Sequence, residues 1–220
     1  MGAFSIRKHW RAITLLSAVS SLMVLLALGC AITCRPSWYQ PRSIDYGLLQ
    51  QDKQDLTNLI DEISAALNAG RDIEISITQE QVNRWLAARS EVPAVDFSQL
   101  GELDQPFLVF LEGNRIRAAA IVRRAGVSTV ASLTIQVASD EQAVRFSTPE
   151  VRAGVAPAPR TLVEQLLGRA LSGADAARLT EVATLEFPNQ FVWQNGKRRF
   201  RINSIEVTDG RLSAALGPLR

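Results

Sequence analysis

Histidine occurs once in these 220 residues, at position 9, and cysteine twice, at positions 30 and 34. Everything after Cys34 lacks both side chains. That excludes a Ser–His–acid or Cys–His nucleophile, a His- or Cys-ligated metal, and a stabilising disulfide from that part of the chain. A glycine-rich phosphate loop is missing too, since Gly113-Asn114 and Gly210 read as hairpin turns. No Asn-x-Ser/Thr acceptor occurs. Carboxylates are the acid–base groups that remain. Asp52, Asp55, Asp61 and Glu62 fall on the polar face of a helix, and Asp140-Glu141 and Asp209 fall in turns, where a solvated role outweighs catalysis. The expectation is a protein that is not an enzyme and uses no cofactor or metal.

Acidic residues are absent from positions 1–34, which hold three of the 24 Lys and Arg and none of the 22 Asp and Glu. The remaining 186 residues carry 21 basic and 22 acidic side chains, a net charge of −1. A near-neutral domain offers no electrostatic basis for nucleic acid. One local exception is Lys197, Arg198, Arg199 and Arg201 beside the turn pair Asn195-Gly196. These cations are candidates for contact with anionic headgroups, or a charge-protected strand end.

What the chain does contain is a charge-free run, Ala12–Thr33, 22 residues long. At about 1.5 Å per residue a helix of that length reaches roughly 33 Å, against a hydrocarbon core of about 30 Å. Arg7, Lys8 and Arg11 precede it, and Trp10 and Trp38-Tyr39 stand at its two ends as candidate interface aromatics. The pattern predicts a single-pass helix over 12–33 with residues 1–11 cytoplasmic. An extended linker over 34–47 and an extracytoplasmic domain over 48–220 follow. An alternative is a lipoprotein anchored at Cys30, because Leu26–Cys30 loosely matches a lipobox.

Leu49, Leu56, Leu59, Ile60, Ile63, Ala66 and Leu67 recur at helical spacing, with Gly70 as a stop. Ile73, Ile75 and Ile77 alternate with polar residues and predict a strand. Thr78-Gln79-Glu80-Gln81 has the capping-box form before a short helix carrying Val82, Trp85 and Leu86. From Leu103 to Arg152 period-two alternation predicts a meander. Gly154–Pro159 interrupts it before a helix with Leu162, Leu166, Leu167 and Leu171 on one stripe. Strands return from Phe191, with a bulge expected near Asn203-Ser204, where apolar parity switches. The fold class expected is α+β: one long, curved, mostly antiparallel sheet with two or three amphipathic helices against it.

The ordering of Ser76–Leu86, Gly154–Pro157 and Ile205–Leu212 behind an N-terminal anchor resembles the YpmS-like family of single-pass bacterial membrane proteins, which has no characterised function. The layout is also similar to tubular lipid-binding domains, in which a curved sheet wraps a helix and cups lipid. That similarity implies an apolar groove, for which Val82, Trp85, Leu86, Leu162, Leu166 and Trp193 are the candidate lining residues. The expectation is a noncatalytic binding protein at the outer face of the inner membrane, with lipid or another apolar molecule as ligand. The alternative is an assembly protein docking an envelope partner.

Overall fold

The structure is a computed structural model and describes residues 20–24, 26–27, 29–91, 103–124, 126–158, 184–193 and 198–219. The apolar repeat from Leu49 forms helix α1, Leu49–Asn68, with Leu49, Leu56, Ile63, Ala66 and Leu67 buried. Gly70 closes it at φ +67°. The N–H groups of Gly70 and Arg71 return to the carbonyls of Leu67 and Ala66, the bond pair of a Schellman ending. Strand β1, Ile73–Thr78, leads straight into helix α2, Gln79–Ala87. The capping box between them is complete. Gln81 N–H donates to Thr78 Oγ1 (3.2 Å) and Thr78 N–H donates to Gln81 Oε1 (2.9 Å).

The meander follows as β2 (Asp104–Leu111), β3 (Arg115–Arg124), β4 (Val127–Ser139) and β5 (Ala143–Ala153). Gly154, at φ +61°, then turns the chain back so that β6, Ala156–Pro157, pairs with the end of β5. The predicted interruption is thus a tight hairpin. Strand β7, Thr184–Pro188, adds to the other end of β5. The chain finishes with β8 (Phe191–Val192), β9 (Arg199–Thr208) and β10 (Arg211–Pro218). On β9 the expected bulge is present: Ile202 faces Leu216 and Ser204 faces Ala215, leaving Asn203 unpaired.

The α+β class stands, but the single long curved sheet does not. The strands form two separate sheets, a four-stranded one in the order β1-β10-β9-β8 and a meander sheet in the order β2-β3-β4-β5-β6 with β7 also on β5. Helix α1 covers the first sheet, where Ile63, Leu67 and Leu216 are packed by Ile73, Ile75, Phe200, Ile202 and Trp193. What joins the sheets is polar. Three asparagines act as strand mimics: the side-chain amides of Asn83 and Asn189 each pair a backbone N–H and C=O, and Asn114 does so with its Oδ1 and its own backbone N–H. Asn83 of α2 donates to the Leu108 carbonyl (2.7 Å) and accepts its N–H (2.8 Å). In the β2–β3 turn, Asn114 accepts the Val207 N–H through Oδ1 (2.8 Å) and donates its own backbone N–H to the Val207 carbonyl (3.3 Å). Asn189 accepts the Ile202 N–H and donates to the carbonyls of Ile202 and Asp140. Asn83 and Asn189 are buried, and an unmatched backbone group there costs about 1–3 kcal/mol.

The membrane-spanning helix expected over Ala12–Thr33 is overturned: no helix among the described residues is long and apolar enough to cross a membrane. Residues 1–19, 25 and 28 lie outside the described residues. The single-pass inner-membrane topology, the cytoplasmic–extracytoplasmic division, the Cys30 anchor and the membrane as partner lose their basis with it. The end of the apolar run is instead bound to the meander sheet. The Ala31 carbonyl accepts the Val155 N–H (3.0 Å) and the Ile32 carbonyl accepts the Thr129 hydroxyl (2.5 Å). Those carbonyls lie against Gly154, where a Cβ would overlap them. Tyr39, expected at headgroup level, is buried at 1% exposure in a cluster with Phe107, Ala119 and Val130. Its hydroxyl donates to the Gln105 carbonyl at 2.6 Å. Burial pushes this phenol up to about 12. The stretch after Cys34 is therefore a strap on the sheet.

Candidate functional site

Helices α1 and α2 meet over the start of the fold through an apolar cluster and the buried Asp52–Arg84 pair. Leu49, Leu56, Trp85 and Ala88 form one buried cluster, packed by Leu59, Ile60, Ile77 and Val82. Trp85 sits at 7% exposure, and its indole N–H has no acceptor among the described residues. Trp193 makes the contrast plain. Its N–H donates to Ser64 Oγ at 2.8 Å and its ring meets Phe200 edge-on. A buried N–H without an acceptor forfeits about 1–3 kcal/mol.

Trp85 borders a cleft of about 300 Å³, lined also by Asp55, Asn58, Leu59 and Glu62 of α1, Ser76 and Ile77 of β1, and Gln81 of α2. Asp55 and Glu62 make no ion pair among the described residues. Seven positions apart, they stand about 10.5 Å from each other along the helix axis. Among the described residues the cleft is therefore bordered by a tryptophan whose buried N–H lacks an acceptor and by two carboxylates without an ion pair.

Some carboxylates elsewhere are matched, while Asp61, Asp72, Glu74, Glu112, Glu141, Glu206 and Asp209, like Asp55 and Glu62, make no ion pair among the described residues. A second cleft of about 480 Å³ lies between the 41–48 strap and the two helices. There Arg84 Nε reaches the buried Asp52 carboxylate at 2.8 Å, and Glu80 joins Arg42 at 3.0 Å. Asp104 pairs with Arg123 and Glu150 with Arg152. In the β4–β5 turn the backbone N–H groups of Ala143 and Gln142, then Arg145, hold the Asp140 carboxyl below its ordinary range. Among the described residues no group of three or more His, Cys, Asp and Glu could hold a metal ion.

The candidate groove residues are thus dispersed. Val82, Trp85 and Leu86 sit on α2, Trp85 and Leu86 buried and Val82 partly so. Trp193 belongs to the core under α1, while Leu162 and Leu166 lie outside the described residues. Neither cleft is an apolar acyl-chain cavity, because charged and amide side chains line both. The lipid expectation, which also relied on a bilayer and one curved sheet, is withdrawn, and the envelope-partner alternative goes with the topology. Of the headgroup candidates, Arg198 donates to the Asn68 carbonyl at the end of α1 and Arg201 to Asn203 Oδ1. Arg199 is exposed on β9 and Lys197 lies outside the described residues.

Sequence reasoning passed over Asp55, Asn58 and Glu62 as solvated face, and over Asn83 altogether. The one available signal was an asparagine among the apolar positions of α2, beside Val82 and Leu86. No family model, curated protein or solved structure matches this chain. The resemblance to the YpmS-like family is not supported, since no family model matches and the single-pass helix that defines the layout is not among the described helices.

Proposed function

We propose that this protein is a noncatalytic binding domain whose ligand site is the cleft beside Trp85. The observation that carries the reading is a cleft bordered by Trp85, whose buried indole N–H has no acceptor among the described residues, and by Asp55 and Glu62, which make no ion pair there. The N–H of Trp193 and the amides of Asn83 and Asn189 are matched, and that of Trp85, buried beside the cleft, is not. The complementary ligand supplies a cation to Asp55 and Glu62 beside the Trp85 ring. A noncatalytic role is favoured because histidine and thiol are missing after residue 34 and because Asp52 and Glu80 in the larger cleft are already tied to arginines.

The test is titration of the ¹⁵N-labelled full chain with N-acetyl-lysine-N-methylamide, which carries a cation and carbonyl acceptors. Trp85→Phe identifies the indole resonance. We expect that resonance to shift saturably, and the shift to be lost in an Asp55→Asn/Glu62→Gln variant. An indole that does not move, or that moves equally with the glutamate analogue, overturns the reading.

A further inference from the structure

We propose that the ligand of the Trp85 cleft is an extended, basic peptide segment that adds to the four-stranded sheet as a new strand beside β1. This inference rests on the binding reading above and specifies its ligand. The sheet ends at β1, which pairs only with β10. The register places Ile73, Ile75 and Ile77 opposite Leu216, Ala214 and Leu212, and in the same register Gln79 N–H donates to the Gly210 carbonyl. Antiparallel pairing alternates, so these odd-numbered residues bond to β10 while Glu74, Ser76 and Thr78 direct their backbone groups outward. Gln81 Oε1 takes the Thr78 N–H. The N–H and C=O groups of Glu74 and Ser76 remain, and Ser76 lines the cleft.

The other sheet shows what a closed edge looks like in this protein. Along β2, Asn83 holds both backbone groups of Leu108, and Gln79 Oε1 takes the Phe110 N–H at 2.9 Å. An exposed edge is a template for pairing. Among the described residues one edge is capped by helix side chains, and the other has no strand beyond it.

Charge selects the occupant. Of the seven acidic side chains in residues 48–80, Asp52 and Glu80 are paired with Arg84 and Arg42, which leaves Asp55, Asp61, Glu62, Asp72 and Glu74 against Lys53 and Arg71. A strand added about 4.8 Å beyond β1 lies under the flank of α1 that bears Asp55 and Glu62. Lysine or arginine on the α1-facing side of such a segment meets those carboxylates. Its main chain bonds Glu74 and Ser76, and it runs beside the Trp85 ring that borders the cleft. A second copy of the same acidic edge would bring like charges together.

The probe is an acetylated, amidated octapeptide of alternating threonine and lysine, added to the full chain and read by amide exchange and by the Trp85 indole resonance. We expect exchange at Ser76 and Glu74 to slow at least roughly tenfold with this peptide and to stay unchanged with the threonine–glutamate analogue. Ser76→Pro removes an outward donor that an edge strand can spare and should abolish the protection at Glu74. Should that variant fail to fold, Asp55→Asn/Glu62→Gln must weaken binding by a similar factor. A shift at Trp85 with no protection at Glu74 or Ser76 refutes strand addition and leaves the binding reading standing. No shift with either the peptide or the lysine diamide refutes both. Protection that grows with protein concentration alone makes a second copy the occupant and overturns the proposal.

Discussion

Replacing Asn83 with leucine removes the strand mimic that closes the β2 edge while keeping nearly the same volume. The side chain is 3% exposed and makes three bonds: to the Leu108 carbonyl at 2.7 Å, from the Leu108 N–H at 2.8 Å, and to the Gln79 carbonyl at 2.9 Å. The Gln79 carbonyl already sits in a helical turn, so the loss there is small. The two Leu108 groups have no other partner, and each left unmatched costs about 1–3 kcal/mol. Asn83→Leu should therefore lose about 2–6 kcal/mol, toward the low end if water reaches the opened edge. For a domain of this size that is a fall in Tm of about 2–4 °C per kcal/mol. Urea unfolding should show a lower midpoint at unchanged slope. Asn58→Leu, on the exposed side of α1, should stay within about 0.5 kcal/mol. Amide exchange adds a local readout: Leu108 should lose protection while Phe110, held by Gln79 Oε1, keeps it. An Asn83→Leu protein as stable as Asn58→Leu, or with Leu108 still protected, would refute the reasoning.

Tyr39 supplies a pH prediction. Its phenol titrates near 12 when folded against an ordinary value of 10. The unfolded chain therefore releases this proton first. The associated stability, about 2–3 kcal/mol, is fully present below pH 10 and is lost as the pH rises toward 12. Tyr39→Phe should be about 1 kcal/mol less stable at neutral pH, through loss of the bond to Gln105, yet decline less between about pH 10 and 12 in urea titrations. Gly154→Ala places a Cβ against the Ala31 and Ile32 carbonyls at a positive φ. It should cost about 1–3 kcal/mol and speed tryptic cleavage after Arg42, and equal protease resistance would show that the helix end is not held there.

Elements whose reasons lie within a few residues were legible in the sequence. The Thr78–Gln81 box, the Gly70 ending and the bulge at Asn203 each follow from side-chain chemistry and parity inside a short window. They appear in the structure where those cues stand. The apolar count over Ala12–Thr33 and the aromatics at Trp38-Tyr39 misled for a related reason. Such a window treats a segment as if nothing else could satisfy it. Here Thr129, Gly154 and Val155 receive its end, and Phe107 packs on Tyr39.

By itself the sequence determined the α+β mixture, the capped helices and most strands of the meander, and the exclusion of histidine and thiol chemistry after Cys34, because these depend on composition and local periodicity. Only the tertiary structure decided that there are two sheets. Period-two alternation specifies a face but not a neighbour, and β1 finds its partner at the far end of the chain in β10. The same holds for the polar residues. Nothing local distinguishes Asn83, which closes a sheet edge, from Asn58, which lines a cleft, or Trp193, whose N–H meets Ser64, from Trp85, whose N–H meets no acceptor among the described residues. Whether a donor is matched depends on atoms brought in from distant segments.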